Sequence, residues 1–124
     1  MLALVAEHDA VLATGHLSGD ECRWLAQRAR HFGITRLLFT HPSYTVPGLD
    51  PAAVRDLVEG GGHAEITAYQ LLAQRGCTAA MLARVAEAAG PGLVLSSDAG
   101  QGVDRAWLAA AAASETPMSL FAPR

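Results

Sequence analysis

The chain has 124 residues, with nine Lys+Arg and twelve Asp+Glu giving a formal charge of −3 with neutral histidines. That is one domain's length, and a mildly acidic chain carries no electrostatic footprint for a nucleic-acid backbone. All nine cations are arginine, which excludes Schiff-base lysine chemistry and a P-loop, and an apolar fraction of 51% excludes a disordered chain.

Met1 to Glu7 is apolar from its first residue and has no N-cap. It reads like the end of a helix that begins upstream, so the chain is expected to be a piece of a longer architecture. Ala10 to Thr14 reads as a buried strand. Ser18 and Glu21 then form a capping box, and the helix after it sets Cys22, Leu25, Ala29 and Phe32 on one face. Gly33 is its C′ residue. Arg36 to Thr40 is the second strand, ended by His41-Pro42. Asp50 caps the next helix with Pro51 at N1, Val54, Leu57 and Val58 make its stripe, and Gly60-Gly61-Gly62 stops it.

His63 to Thr67 is a short third strand, followed by one or two helical turns over Tyr69 to Arg75. Thr78 caps a helix that buries Met81, Leu82, Val85 and Ala89, and Gly90-Pro91 ends it. Gly92 to Ser96 is the fourth strand, Val103 to Ala113 a last helix, and residues 114–124 an irregular tail. Strands alternating with helices predict an α/β fold of about four βα units on a parallel sheet. A (βα)8 barrel takes ~250 residues, so the chain has about half of one.

Cys22 and Cys77 are far apart and form no CxxC, so a reduced, cytoplasmic setting is expected. The apolar start lacks a basic region and meets Glu7, His8 and Asp9 at once, unlike a signal peptide. No run of ~18 apolar residues predicts a membrane span.

Chemistry gathers at the strand ends. His16 follows the first strand, His41 the second, Glu65 lies in the third and Asp98 follows the fourth, at intervals of 25, 24 and 33 residues. Each interval is one strand-helix unit, so all four residues are expected near the C-terminal edge of the sheet, where α/β proteins bind ligands. Two imidazoles and a carboxylate there match the donor set of zinc or another divalent transition metal. Such an ion lowers the pKa of coordinated water to about 7 and makes it a nucleophile.

Thr14-Gly15-His16, Leu38-Phe39-Thr40-His41-Pro42 and Leu95-Ser96-Ser97-Asp98 together resemble the second half of the amidohydrolase superfamily. In its metal-dependent (βα)8 hydrolases one His ends the fifth strand, one ends the sixth and an Asp ends the eighth. The likeness covers about residues 8 to 105 and is nearest to an uncharacterised bacterial branch. It implies the C-terminal half of a TIM barrel, with His16, His41 and Asp98 as metal ligands and Glu65 as a further candidate. It also implies that Asp98 is the catalytic general base in hydrolysis of an ester, lactone, amide or phosphoester of a small molecule. The first-strand His-x-His pair and the fourth-strand ligand of that superfamily are absent, so an N-terminal half or a second copy is the expected partner.

Other residues carry plainer readings. Ser18, Tyr44 and Gln101 are candidates to line the substrate pocket, with Ser18 also the N-cap and Tyr44 equally a loop anchor. Asp98 has a second role available, bonding the loop amides of Ala99 and Gly100. Glu65 has two besides ligation, a substrate contact or an Arg partner. His63 shares the Glu65 face, either inside the barrel or at its lower rim. His8 and His31 are expected in solvent, Cys22 and Cys77 as small buried hydrophobes, and Trp24 and Trp107 as packing residues. Two rivals stand beside the hydrolase: a non-catalytic half-barrel that self-associates, and an open α/β domain binding a phosphate-bearing ligand.

Overall fold

The computed structural model describes residues 1–98. The expected helix at 103–113, the tail at 114–124, Gln101 and Trp107 lie outside the described residues. The elements are α1 (Leu2–Glu7), β1 (Leu12–Ala13), α2 (Gly19–His31), β2 (Leu37–Phe39), α3 (Pro51–Glu59), β3 (His63–Thr67), α4 (Ala68–Ala73), α5 (Ala79–Ala89) and β4 (Leu93–Ser96). A 3-10 turn at Gly90–Gly92 joins α5 to β4.

The local signals for the helix starts act as read. Ser18 accepts from the Glu21 amide while the Glu21 side chain takes the Ser18 amide, a complete capping box. Asp50 accepts from the Ala53 amide ahead of Pro51, and Thr78 caps α5 through the Met81 amide. Gly33 adopts φ 72 just past α2, the left-handed conformation that ends a helix without a Cβ penalty.

The four strands are all parallel and lie in chain order, β1-β2-β3-β4. One core forms on one face of this sheet. Leu12, Leu37, Phe39, Ala64 and Ile66 of the strands meet Cys22, Leu25 and Ala29 of α2, Val54 and Leu57 of α3, and Val85 and Ala89 of α5. Phe39 is fully buried at its centre, where an aromatic side chain contributes about 1.5–3 kcal/mol over its exposed state. Gly62 packs so tightly there that a Cβ would stand 2.3 Å from the Phe39 ring.

Alternation sends the remaining strand residues to the other face. Ala13, Leu38 and His63 are register partners there, as are Glu65 and Val94. Ala13 and His63 are exposed, while Leu38, Glu65 and Val94 are half-buried. Helices α2, α3 and α5 thus cover one face of the sheet.

Several expectations are corrected. The first two strands pair over Leu12–Ala13 and Leu37–Phe39 only, because the chain turns immediately after Thr14 and Thr40. Trp24 is not a packing residue but 60% exposed. The core stripe of α2 is Cys22, Leu25, Ala26 and Ala29, and at ~100° per residue Trp24 stands about 200° round from Cys22. Phe32 leaves the stripe to cap the helix, edge-on to His31 and 5.8 Å beneath the Arg28 guanidinium. Met81, in the first turn of α5, is exposed at an open cleft instead of the core. Among the described residues no helix is long and apolar enough to cross a membrane.

Candidate functional site

The two segments that leave β1 and β2 are tied to each other by their threonines. The Thr14 amide donates to the Leu38 carbonyl, prolonging the ladder. The Thr40 amide then donates to Thr14 Oγ1 at 3.0 Å, and the Gly15 amide to Thr40 Oγ1 at 3.2 Å. This reciprocal bracket fixes both chains one or two residues before each histidine. Gly15, at φ 60, turns the first over the sheet edge.

The bracket brings His16 and His41 together. Their Nε2 atoms are 3.2 Å apart, with ring centroids at 4.9 Å. His41 is buried, whereas His16 is exposed. The His41 backbone has φ 29, a region costing a non-glycine residue about 1–3 kcal/mol and kept where its surroundings impose it. The surroundings here are backbone bonds of the following loop: Tyr44 N–H to His41 O at 2.8 Å, and Leu49 N–H to Pro42 O at 2.9 Å. His41 Nδ1 is buried without a hydrogen-bond partner among the described residues.

Tyr44 lies against the pair, its ring 5.1 Å from that of His41, and Tyr69 follows 6.4 Å beyond. The loop carrying Tyr44 is clamped from α4. Gln70 is fully buried and donates through Nε2 to Ser43 Oγ at 3.0 Å, while Gln74 Nε2 donates to the Ser43 carbonyl at 3.4 Å. Gln70 in turn closes a capping box with Thr67. The Tyr69 amide, donating to Ser97 O at 3.3 Å, joins the start of α4 to the segment after β4.

Glu65 and Asp98 do not join the histidines. Among the described residues no three His, Cys, Asp or Glu side chains lie close enough to hold a metal ion. Glu65 sits at mid-strand, half-buried on the face away from the core. Asp98 is two residues past β4 with φ 52, a left-handed conformation that Asp tolerates. Ser18 is exposed, its hydroxyl donating to Glu21 at 2.7 Å. His63 borders an apolar cleft at the N-terminal side of the sheet with Val11, Arg36 and Leu38, the lower rim of the strands.

Cys22 is buried as expected, whereas Cys77 is only half-buried on the loop before α5; burial pushes both thiols up from their ordinary value of 9.0.

A family of unknown function, DUF6282, matches residues 1–65. The chain belongs to that family. The stretch matching DUF6282 runs from α1 to mid-β3, so it includes the threonine bracket and both histidines, and Asp98 lies beyond it. No curated protein and no solved structure matches the chain.

Gln70 and Tyr69 were not legible as site residues from single motifs. The signal for Gln70 was present as Thr67-x-x-Gln70, the spacing of a capping box, three residues past the end of Glu65's strand face.

Proposed function

We propose that this chain is the metal-bearing part of a divalent-metal-dependent hydrolase of the amidohydrolase type, built on the C-terminal half of a (βα)8 barrel. The 3.2 Å separation of the two Nε2 atoms carries the reading. Two imidazoles bound ~2.05 Å from one tetrahedral zinc ion would bring their nitrogens about 3.3 Å apart. The donor set therefore fits such an ion, with His16 and His41 filling two of its positions through Nε2.

When Nε2 serves as a ligand, Nδ1 carries the proton, and that N–H normally meets an acceptor. His41 Nδ1 has none among the described residues. On this reading Asp98, which stands apart from the histidines here, is drawn to the ion, and the acceptor and remaining ligands come from a completing half, either an N-terminal partner or a second copy. The bound ion supplies Lewis-acid polarisation and a lowered pKa for coordinated water. Asp98 would serve as the carboxylate that accepts a proton from the water such an ion activates for attack on the electrophilic carbon or phosphorus. Glu65, on the face that would line the barrel, contacts the bound small molecule.

The sheet supports the same reading. A doubly wound phosphate-binding sheet reverses its strand order and carries helices on both faces. This one runs 1-2-3-4 with its helical core on one face, as successive units of a barrel do.

Metal content and molar mass, measured together on chain reconstituted with zinc, test the proposal. One ion per chain or per pair is expected, and none in the His16→Ala/His41→Ala double variant. Equal metal in wild type and double variant would refute it.

A further inference from the structure

An open cavity of about 360 Å³ lies between the loop after β2 and the start of α5, separated from the histidine pair by Tyr44. At ~30 Å³ per water molecule it has room for roughly a dozen water-sized groups, within the size range of small-ligand sites. Its wall is mainly apolar, with Leu49, Leu82, Val85 and Cys77 among the lining. Burial keeps the Cys77 thiol protonated well above neutrality, so it adds no charge.

Two charged side chains border the space. Asp50 is engaged at the head of α3, where its Oδ1 accepts from the Ala53 amide at 2.8 Å. Arg84 makes no hydrogen bond or ion pair among the described residues. The cavity thus presents an apolar body with one free guanidinium.

Tyr44 joins this cavity to the histidines. It lines the space, and its ring lies 5.1 Å from the His41 ring. Its position is built, not incidental: Ser43, the preceding residue, is held at both its hydroxyl and its carbonyl by the buried Gln70 and by Gln74. Neither histidine lines the space, so Tyr44 is the side chain that separates a molecule seated there from the His41 imidazole.

We propose that this cavity binds a compact apolar arm ending in a carboxylate, with Arg84 receiving the carboxylate and Tyr44 forming the wall on the His41 side. In the hydrolase reading, on which the catalytic meaning rests, the substrates are esters or amides bearing such an arm. The binding itself requires no metal.

Hexanoate, with hexanol as its uncharged counterpart, is the probe, titrated calorimetrically into metal-free full-length chain. One hexanoate per chain is expected, binding about tenfold tighter than hexanol through the charge-assisted contact. Arg84→Gln, an exposed position on α5, should erase that preference and leave hexanol binding intact. Cys77→Trp, which fills the cavity from a loop, should abolish both, with an unchanged far-UV spectrum showing that the fold survives. The His16→Ala/His41→Ala chain should bind hexanoate as wild type does. Absence of hexanoate binding at millimolar concentration, or equal affinity in wild type and Cys77→Trp, would overturn the inference. A chain that binds zinc but no hexanoate sinks this proposal alone, and one that binds hexanoate but no zinc sinks the hydrolase reading alone.

Discussion

Replacing Gln70 by Met isolates the polar contribution of the α4 clamp. The two side chains have similar length and volume, so packing is largely kept. Three hydrogen bonds go: Thr67 N–H to Oε1 at 3.3 Å, Nε2 to Ser43 Oγ at 3.0 Å and Nε2 to Gln74 Oε1 at 3.3 Å. They are not equivalent. Thr67 is 1% exposed, and its stranded amide costs about 1–3 kcal/mol. Ser43 and Gln74 are half-buried and can turn to solvent, leaving about 0.5–1 kcal/mol between them. The sum is about 1.5–4 kcal/mol, a large part of a typical total of about 5–15 kcal/mol. With a urea slope of about 1–3 kcal/mol/M, the midpoint should fall by roughly 1–2 M. Far-UV circular dichroism is the probe of choice, because Trp24 is too exposed to report on the core. Gln74→Met is the control: Gln70 Nε2 keeps its bond to Ser43 Oγ and the half-buried Ser43 loses one partner, so the cost should stay below about 1 kcal/mol. If Gln70→Met shifts the midpoint no further than Gln74→Met, the clamp does not hold the loop and the reasoning fails.

Two glycine substitutions should separate crowding from backbone strain. Gly62→Ala drives a Cβ into the Phe39 ring and should cost about 1–3 kcal/mol, whereas Gly15→Ala meets nothing within 4 Å and suffers only its φ of 60, costing about 1–2 kcal/mol; thermal melts of both would show it, and a neutral Gly62→Ala would contradict the packing. Hydrogen bonds from the Ser18 amide and hydroxyl hold the Glu21 carboxyl below its ordinary value of 4.5. Its contribution is therefore complete above about pH 4.5 and is lost as the pH falls through the lower folded value. Ser18→Ala should destabilise by about 1 kcal/mol at neutral pH and by less at pH 3; an equal loss at both would rule out the coupling.

What the sequence revealed depends on how local each cause is. The caps at Ser18, Asp50 and Thr78 were legible because each is decided within four residues. His63–Thr67 was legible between a triple glycine and a helix. The meeting of His16 and His41 was foreshadowed by their places just past successive parallel strands, since neighbouring strand ends are neighbours in space. The bracket that closes the gap was not, because Thr14 and Thr40 are 26 residues apart and ordinary at a strand end. Trp24 was misread by residue type, although its angle from Cys22 already pointed it outward. Glu65 was placed by unit spacing at the strand end, yet it lies two residues short of it, where alternation and not spacing decides its direction. Gln70 resembled any polar residue on a short helix, and only the packing of α4 against the loop after β2 shows why it is buried.

In the half-barrel reading, the unfinished features of the sheet and of the histidine pair have one cause. An edge strand presents unpaired backbone groups and is normally blunted or covered. Here Val11 beside β1 is 60% exposed and Leu95 in β4 is 72% exposed, so apolar side chains stand at opposite edges of the four-stranded sheet. At the C-terminal ends of those strands, two imidazoles approach at ligand spacing, with a buried Nδ1 that has no partner among the described residues. Adding strands to both edges would pair their open backbone groups and bring new side chains across the same rim. The histidine pair should then bind its ion more tightly in the closed assembly than in the isolated chain, because ligands already held by packing lose little freedom on binding. A zinc affinity that does not change on closure would separate the two features and leave the exposed edges to another explanation.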